Sequence, residues 1–171
     1  MSYVIDLVRL QPDVDPDAAY RKQSKATEEE LRKTGGDQGL IDPGKEHAKQ
    51  QLARALVTSH PTLRIAQPDF AELARVHSID IPEAKRRFRN VELNEERYSI
   101  QITLFDDAAG VSFSFSGAFE ECKKAATLLW DCLEIICARG GFSAFDPQVD
   151  KLLSLDSDFD LVLKTACGRQ E

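Results

Sequence analysis

Tyr98-Ser99-Ile100-Gln101-Ile102-Thr103-Leu104, followed by Phe105-Asp106-Asp107-Ala108-Ala109-Gly110 and Val111-Ser112-Phe113-Ser114-Phe115, is the stretch on which the fold turns. Tyr98, Ile100, Ile102 and Leu104 alternate with Ser99, Gln101 and Thr103, and Val111, Phe113 and Phe115 alternate with Ser112 and Ser114. A period of two puts the apolar set on one face of a strand. Asp106 to Gly110 supplies the turn residues between the two runs, so the segment predicts a β-hairpin with one buried and one polar face. After Ser116-Gly117, which predicts a helix cap, the period changes. Phe119, Cys122, Ala126, Leu129, Leu133 and Ile136 recur at spacings of three and four, while Glu120, Lys124, Thr127, Asp131 and Glu134 share the opposite side. This predicts a long amphipathic helix to Ala138 or Arg139, stopped by Gly140-Gly141 and laid over the hairpin.

Toward the N-terminus, Tyr3, Ile5 and Leu7 alternate with Val4, Asp6 and Val8 and predict a first strand ending near Leu10. A polar helix capped by Asp15 or Asp17 would run to about Lys33 and stop at Gly35-Gly36. Its thin apolar side (Ala18, Ala19, Tyr20, Ala26, Leu31) predicts weak anchoring, so residues 16–45 read as a mobile arm. A second helix is predicted from Asp42-Pro43 to about Ser59, burying Ala48, Leu52, Ala55 and Leu56 and ending at His60-Pro61. Between 63 and 80 the signal is divided, since Leu63 and Ile65 suit a strand while Phe70, Leu73, Ala74 and Val76 suit a short helix. Pro82 opens another helix carrying Lys85, Arg86, Arg87 and Arg89, with Ala84 and Phe88 as its inner contact. Phe142 to Phe145 reads as a further strand, Asp146-Pro147-Gln148 as a turn, and Asp158 to Cys167 as a terminal element. The predicted fold class is α+β: one domain over 1–171, a mainly antiparallel sheet of about four strands with helices packed on one face, and its best-defined core at 86–155.

With 171 residues, 42% of them hydrophobic, the chain can bury a core. No run reaches the ~20 apolar residues of a membrane span, because Ala125 to Ala138 is broken by Asp131 and Glu134. Asp6 interrupts the only place for a secretory signal, so cytoplasmic residence is expected. The net charge of −7 disfavours a nonspecific nucleic-acid binder. Residues 101–171 carry 6 basic and 12 acidic side chains and so hold most of that charge. Asp106, Asp107, Asp131, Glu134, Asp146, Asp150, Asp156, Asp158 and Asp160 fall at predicted turns and exposed helix positions; gathered on one surface, they would steer a basic partner. The cations at 85–89 are expected to pair with nearby glutamates or with the acidic C-terminal part. Trp130 lies off its helix's stripe and is expected to plug a gap against the first helices, or to anchor an interface.

No reaction chemistry stands out. Asp156-x-Asp158-x-Asp160 opens like a calcium loop, but Leu161 occupies the position of the required glycine and Cys167 that of the glutamate. The four cysteines and three histidines show no zinc spacing, so no metal or other cofactor is expected. Three cysteines (Cys122, Cys132, Cys137) share one helix at spacings that point to different faces, and reduced, mostly buried thiols are expected. Gly141-Phe142-Ser143-Ala144-Phe145 lacks the second glycine of a nucleophile elbow. Asp106 with Asp107, or Asp146 with Asp150, are the available carboxylate pairs, and turn formation is their simpler use.

Phe88-Arg89-Asn90-Val91-Glu92-Leu93-Asn94, Ile100-Gln101-Ile102-Thr103-Leu104-Phe105-Asp106-Asp107 and the closing Gly140-Gly141-Phe142-Ser143-Ala144-Phe145-Asp146-Pro147-Gln148 resemble a family of small, largely uncharacterised bacterial cytosolic proteins. The resemblance covers mainly residues 86–155. Some members resemble immunity proteins that accompany polymorphic toxins. It implies a non-enzymatic protein that binds a cognate toxin or effector and occludes its active site. The acidic surface expected to make that contact is Asp106, Asp107, Asp131, Glu134, Asp156, Asp158 and Asp160. The rival readings are an effector adaptor or chaperone, and a small enzyme using carboxylates such as Asp146.

Overall fold

The computed structural model describes residues 2–10, 15, 18, 20, 21, 41–114 and 117–168. Its strands are β1 (Ser2–Val8), β2 (Arg64–Ile65), β3 (Val91–Glu95), β4 (Ile100–Leu104), β5 (Ala108–Ser114), β6 (Ser143–Asp146) and β7 (Lys151–Leu152). Its helices are α1 (Pro43–Ser59), α2 (Phe70–His77), α3 (Ile81–Arg87), α4 (Phe119–Gly140) and α5 (Phe159–Cys167). The strands form one sheet in the order β2-β3-β4-β5-β1-β6-β7, antiparallel throughout. The α+β class holds, with seven strands in place of about four. The three outside that count are short: β2, left open as one of two readings, and β7 have two residues each, and β3 has five, with Glu95 among its buried positions. A period of two cannot be read from two residues, and a buried glutamate breaks it in the third.

Register explains the core. Leu93 pairs with Ile102, Ile102 with Val111 and Val111 with Ile5, so one apolar row crosses four strands. Such cross-strand rows are the packing unit of a sheet. Leu52, Ala53 and Leu56 of α1 and Cys122, Ala126, Leu129, Leu133 and Ile136 of α4 close over this face. The opposite side of the same strands carries Asp6, Glu92, Asn94, Gln101, Thr103 and Ser112. Glu95, buried at the end of β3, accepts a hydrogen bond from Tyr98 N at 2.8 Å, which ties the turn into β4. Tyr98 therefore lies in that turn and not in the strand, while Ala108 to Gly110, read as turn, begin β5. Phe105 N donates to Ala108 O and tightens the hairpin to Phe105-Asp106-Asp107.

Helix α1 starts as its sequence dictates. The Asp42 carboxylate accepts from Gly44 N and Lys45 N, Pro43 fills the first turn, and His60 ends the helix before Pro61. Its buried face is Lys49, Leu52, Ala53 and Leu56; Ala48 is exposed and Ala55 only partly covered. The stripe is rotated because Lys49 is neutralised where it enters the interior, as shown below. The divided signal at 63–80 resolves into both elements, β2 followed by α2. Helix α4 follows the 3.6 period but starts at Ala118 with no side-chain cap, and ends on Gly141 at φ 66°. Ser116 lies outside the described residues.

Most of the arm at 16–45 lies outside the described residues. Within it Tyr20 is helical and buried, its ring stacked on Phe145 at 3.6 Å and its hydroxyl donating to Asp6 at 2.6 Å, so that point of the segment is anchored on the sheet's second face.

Gly140 is the last residue of α4, and a Cβ there would sit 2.5 and 2.6 Å from two atoms of the Phe142 ring and 3.3 Å from Leu52. That ring is buried and held beneath the Arg9 guanidinium at 4.6 Å, so it has nowhere to swing. Gly140→Ala is expected to lower stability by about 1–2 kcal/mol, the overpacking cost exceeding the gain in helix propensity. Denaturant titration measures this; an unchanged midpoint would show that the ring has room.

Candidate functional site

The seven acids expected to form one surface separate into two groups. Asp106 turns inward at the hairpin tip, with its side chain only 12% exposed. It accepts from Lys49 Nζ at 2.8 Å and from Arg89 Nη2 at 2.6 Å, and Glu46 touches the same two cations at 2.7 and 2.9 Å. Lys49 and Arg89 are themselves 2% and 6% exposed. Burial raises the Asp106 carboxyl, but hydrogen bonds from Lys49 and Arg89 outweigh it and hold the group below the ordinary aspartate value. Asp107 remains 57% exposed and bridges Arg9 at 3.1 Å and Lys45 at 2.6 Å. Arg9 also donates to the carbonyls of Gly140 and Asp106, so one side chain links β1, the hairpin and the end of α4. Asp106 is therefore an inward clamp of the hairpin, whereas Asp107 is an exposed carboxylate engaged by the chain's own Arg9 and Lys45.

Asp158 likewise serves the fold. It is buried and accepts from Lys151 Nζ at 2.6 Å and from Ser154 N at 2.8 Å, and these bonds, the lysine's foremost, lower its carboxyl below the ordinary value. Of the alternative carboxylates, Asp146 is fully buried, accepting from the Tyr3 hydroxyl and from Gln148 N, and Asp150 pairs with Arg21 at 2.9 Å. Burial and the Asp146 hydrogen bond both push the Tyr3 hydroxyl upward, keeping it a donor.

Asp131, Glu134, Asp156 and Asp160 are exposed. None of them makes an ion pair among the described residues. Backbone neighbours of three of them meet at Trp130. Its indole N–H donates to Leu155 O at 3.3 Å, and its ring meets Phe159 edge-on at 5.5 Å. Asp131 follows Trp130, Asp156 follows Leu155 and Asp160 follows Phe159, while Glu134 lies one turn along α4 from Trp130. The indole is buried under α5 and its leading loop, not against the first helices. Beside this acidic edge the outer face of α4 is mixed: Glu120, Lys123, Lys124, Thr127, Leu128 and Asp131 line a shallow hollow.

Two features of the site were not read from the sequence. Cys122 of α4 is joined to Cys167 of α5 in a disulfide with Cα atoms 5.8 Å apart, which corrects the expectation of four reduced thiols. Cys132 and Cys137 are free. The other is the cationic partnership of Lys49 and Arg89; the signal available was Lys49 itself, three residues before Leu52 on the inward stripe. Of the remaining cations of the 85–89 cluster, Arg86 and Arg87 pair with Glu83 as expected, whereas Lys85 lies over the Phe70 ring at 5.9 Å.

Between Arg9, Lys45, Lys49, Leu104, Arg139 and Phe142 lies a recess of about 50 Å³, far below the ~300 Å³ at which small-molecule sites begin. Among the described residues no three His, Cys, Asp or Glu side chains gather to hold a metal ion, and no helix is long and apolar enough to cross a membrane. Compared with protein-family models, curated proteins and solved structures, the chain matches none.

Proposed function

We propose that this chain is a non-enzymatic binding protein of the immunity type, which docks on a basic surface of a cognate toxin or effector and covers its active site. The observation that supports this reading most is a set of exposed carboxylates, Asp131 and Glu134 on α4, Asp156 in the loop before α5 and Asp160 on α5, none of which makes an ion pair among the described residues. Charges left unpaired at a surface act on partners at a distance, speeding encounter and making it salt-dependent. The other acids are committed to the fold, so the contact surface narrows from seven carboxylates to these four. The resemblance noted at 86–155 supports the immunity class. The carboxylate-enzyme reading loses ground because Asp146 is sealed from solvent.

The test begins with capture on the tagged full chain at low and at high salt, the bound proteins being identified by mass spectrometry. With the captured partner in hand, the Asp131→Lys, Glu134→Lys, Asp160→Lys variant is expected to slow association by about tenfold or more at low salt and to flatten its salt dependence. Unchanged association at low salt would remove this face from the contact. Co-expression with the partner separates immunity, in which growth is restored, from an adaptor role, in which it is not.

A further inference from the structure

The two attachments between α4 and α5 lie at opposite ends of α5. Phe159, its first residue, meets Trp130, and Cys167, its last, is bonded to Cys122. Each pair is eight residues from the other along both helices, which makes the helices antiparallel and spaces the two pins by about 12 Å. Between them α5 buries only Val162 and Leu163, has no side-chain cap at its start, and runs for nine residues, too short to persist without tertiary support. The disulfide is thus the covalent hold on its C-terminal half, beside the packing of Leu163 and Ala166. The two sulfurs are unequally covered. Cys122 is 2% exposed within the core, whereas Cys167 is half-buried in the last turn.

We propose that Cys122–Cys167 is a reversible thiol–disulfide switch that fastens α5 to α4, and that Cys167 is the sulfur through which a glutathione-class thiol exchanges with it. In the reducing direction a thiolate attacks Cys167 Sγ, forms a mixed disulfide there, and expels Cys122 as a thiolate that takes up a proton. A second thiolate then attacks the glutathione sulfur and releases glutathione disulfide and the Cys167 thiol. The net change consumes two thiols, gives one disulfide, and leaves both cysteines reduced; oxidation by glutathione disulfide runs the same steps backward. Cys132 and Cys137 are bystanders, since burial pushes their thiols up to about 12 and about 11 and leaves almost no thiolate to react.

The experiment equilibrates the full chain in glutathione buffers of graded redox poise, maps free thiols by alkylation and peptide mass spectrometry, and follows hydrogen exchange of residues 159–167. Cys122 and Cys167 are expected to become alkylated together within the glutathione range while Cys132 and Cys137 do not change. Amides of 159–167 should then exchange about tenfold faster or more, with the β4–β5 hairpin still protected. In Cys122→Ser, Cys167 is expected to retain glutathione as a stable mixed disulfide, and in Cys167→Ser the buried Cys122 is expected to take up none. A bond that stays closed across the whole range, or a reduced chain whose α5 keeps its protection, overturns the switch. Equal glutathione uptake at Cys122 overturns the assignment to Cys167. If either variant fails to fold, reduced wild-type protein supplies the same exchange readout. No partner is needed for these measurements, so their outcome is independent of the function proposed above.

Discussion

Asp106→Ala is expected to lower the stability of the chain by about 3 kcal/mol at neutral pH, because it strands two buried cations in an interior that does not solvate them. Lys49 and Arg89 are 2% and 6% exposed, and without Asp106 the carboxylate they have in common is Glu46, with Arg89 also donating to Arg86 O at 2.9 Å. That shared glutamate places the cost at the lower end of the usual range for a broken buried pair. The effect carries a pH signature. The folded-state carboxyl is held below its ordinary value, so its contribution is present above the unfolded-state pKa of about 3.9 and is lost as pH falls through the lower folded value. Urea titrations repeated from pH 7 downward should show the gap between wild type and variant closing below about pH 4. A gap that stays constant would trace the loss to packing instead of charge. The neighbouring Asp107→Ala is the control. Its carboxylate is 57% exposed, and such surface pairs contribute about 0–1 kcal/mol.

Phe113→Ala should cost about 3–5 kcal/mol. Phe113 is 2% exposed in the middle of the sheet, paired with Tyr3 on one side and Ile100 on the other, its ring 5.8 Å from that of Tyr3. Removal of the ring leaves a hole that β1, β4 and β5 jointly line and that hydrogen-bonded strands cannot close. Since domains of this size are stable by only about 5–15 kcal/mol, the variant would stand close to unfolding at room temperature. Thermal and urea denaturation measure the loss. Ser114→Ala, one residue on and exposed, should stay within about 0.5 kcal/mol. A similar cost at both positions would mean that the alternation of β5 has been assigned to the wrong faces.

The elements with strong internal periodicity were legible: the β4–β5 hairpin, α4 and β1 each carry enough repeats to declare their inward side. What escaped was set by pairing across long stretches of chain. β2 and β7 exist because β3 and β6 offer them an edge, not because two residues specify a strand. Asp106 and Asp131 look alike in sequence, yet Asp106 meets a lysine 57 residues before it and an arginine 17 residues before it. Only the folded topology converts one into an interior clamp and leaves the other at the surface. The cysteines teach the same lesson. Spacing within α4 correctly denied any bond among Cys122, Cys132 and Cys137, but the partner of Cys122 sat 45 residues away on another helix.

The place of β1 in the strand order also bears on how the chain reaches its native state. β5 and β6 do not pair with each other; the seven residues Ser2–Val8 lie between them and hydrogen-bond to both. Ser2 must find Ser114, and Asp6 must find Phe145, before the sheet is continuous. The meander β3–β4–β5 can assemble early from neighbouring segments, but β1 finds its first edge only once Ala108–Ser114 is available and its second only once Ser143–Asp146 is. During that interval an apolar strand is left solvent-exposed. Loss of β1 would act as the removal of a keystone, dividing one sheet into two unequal pieces.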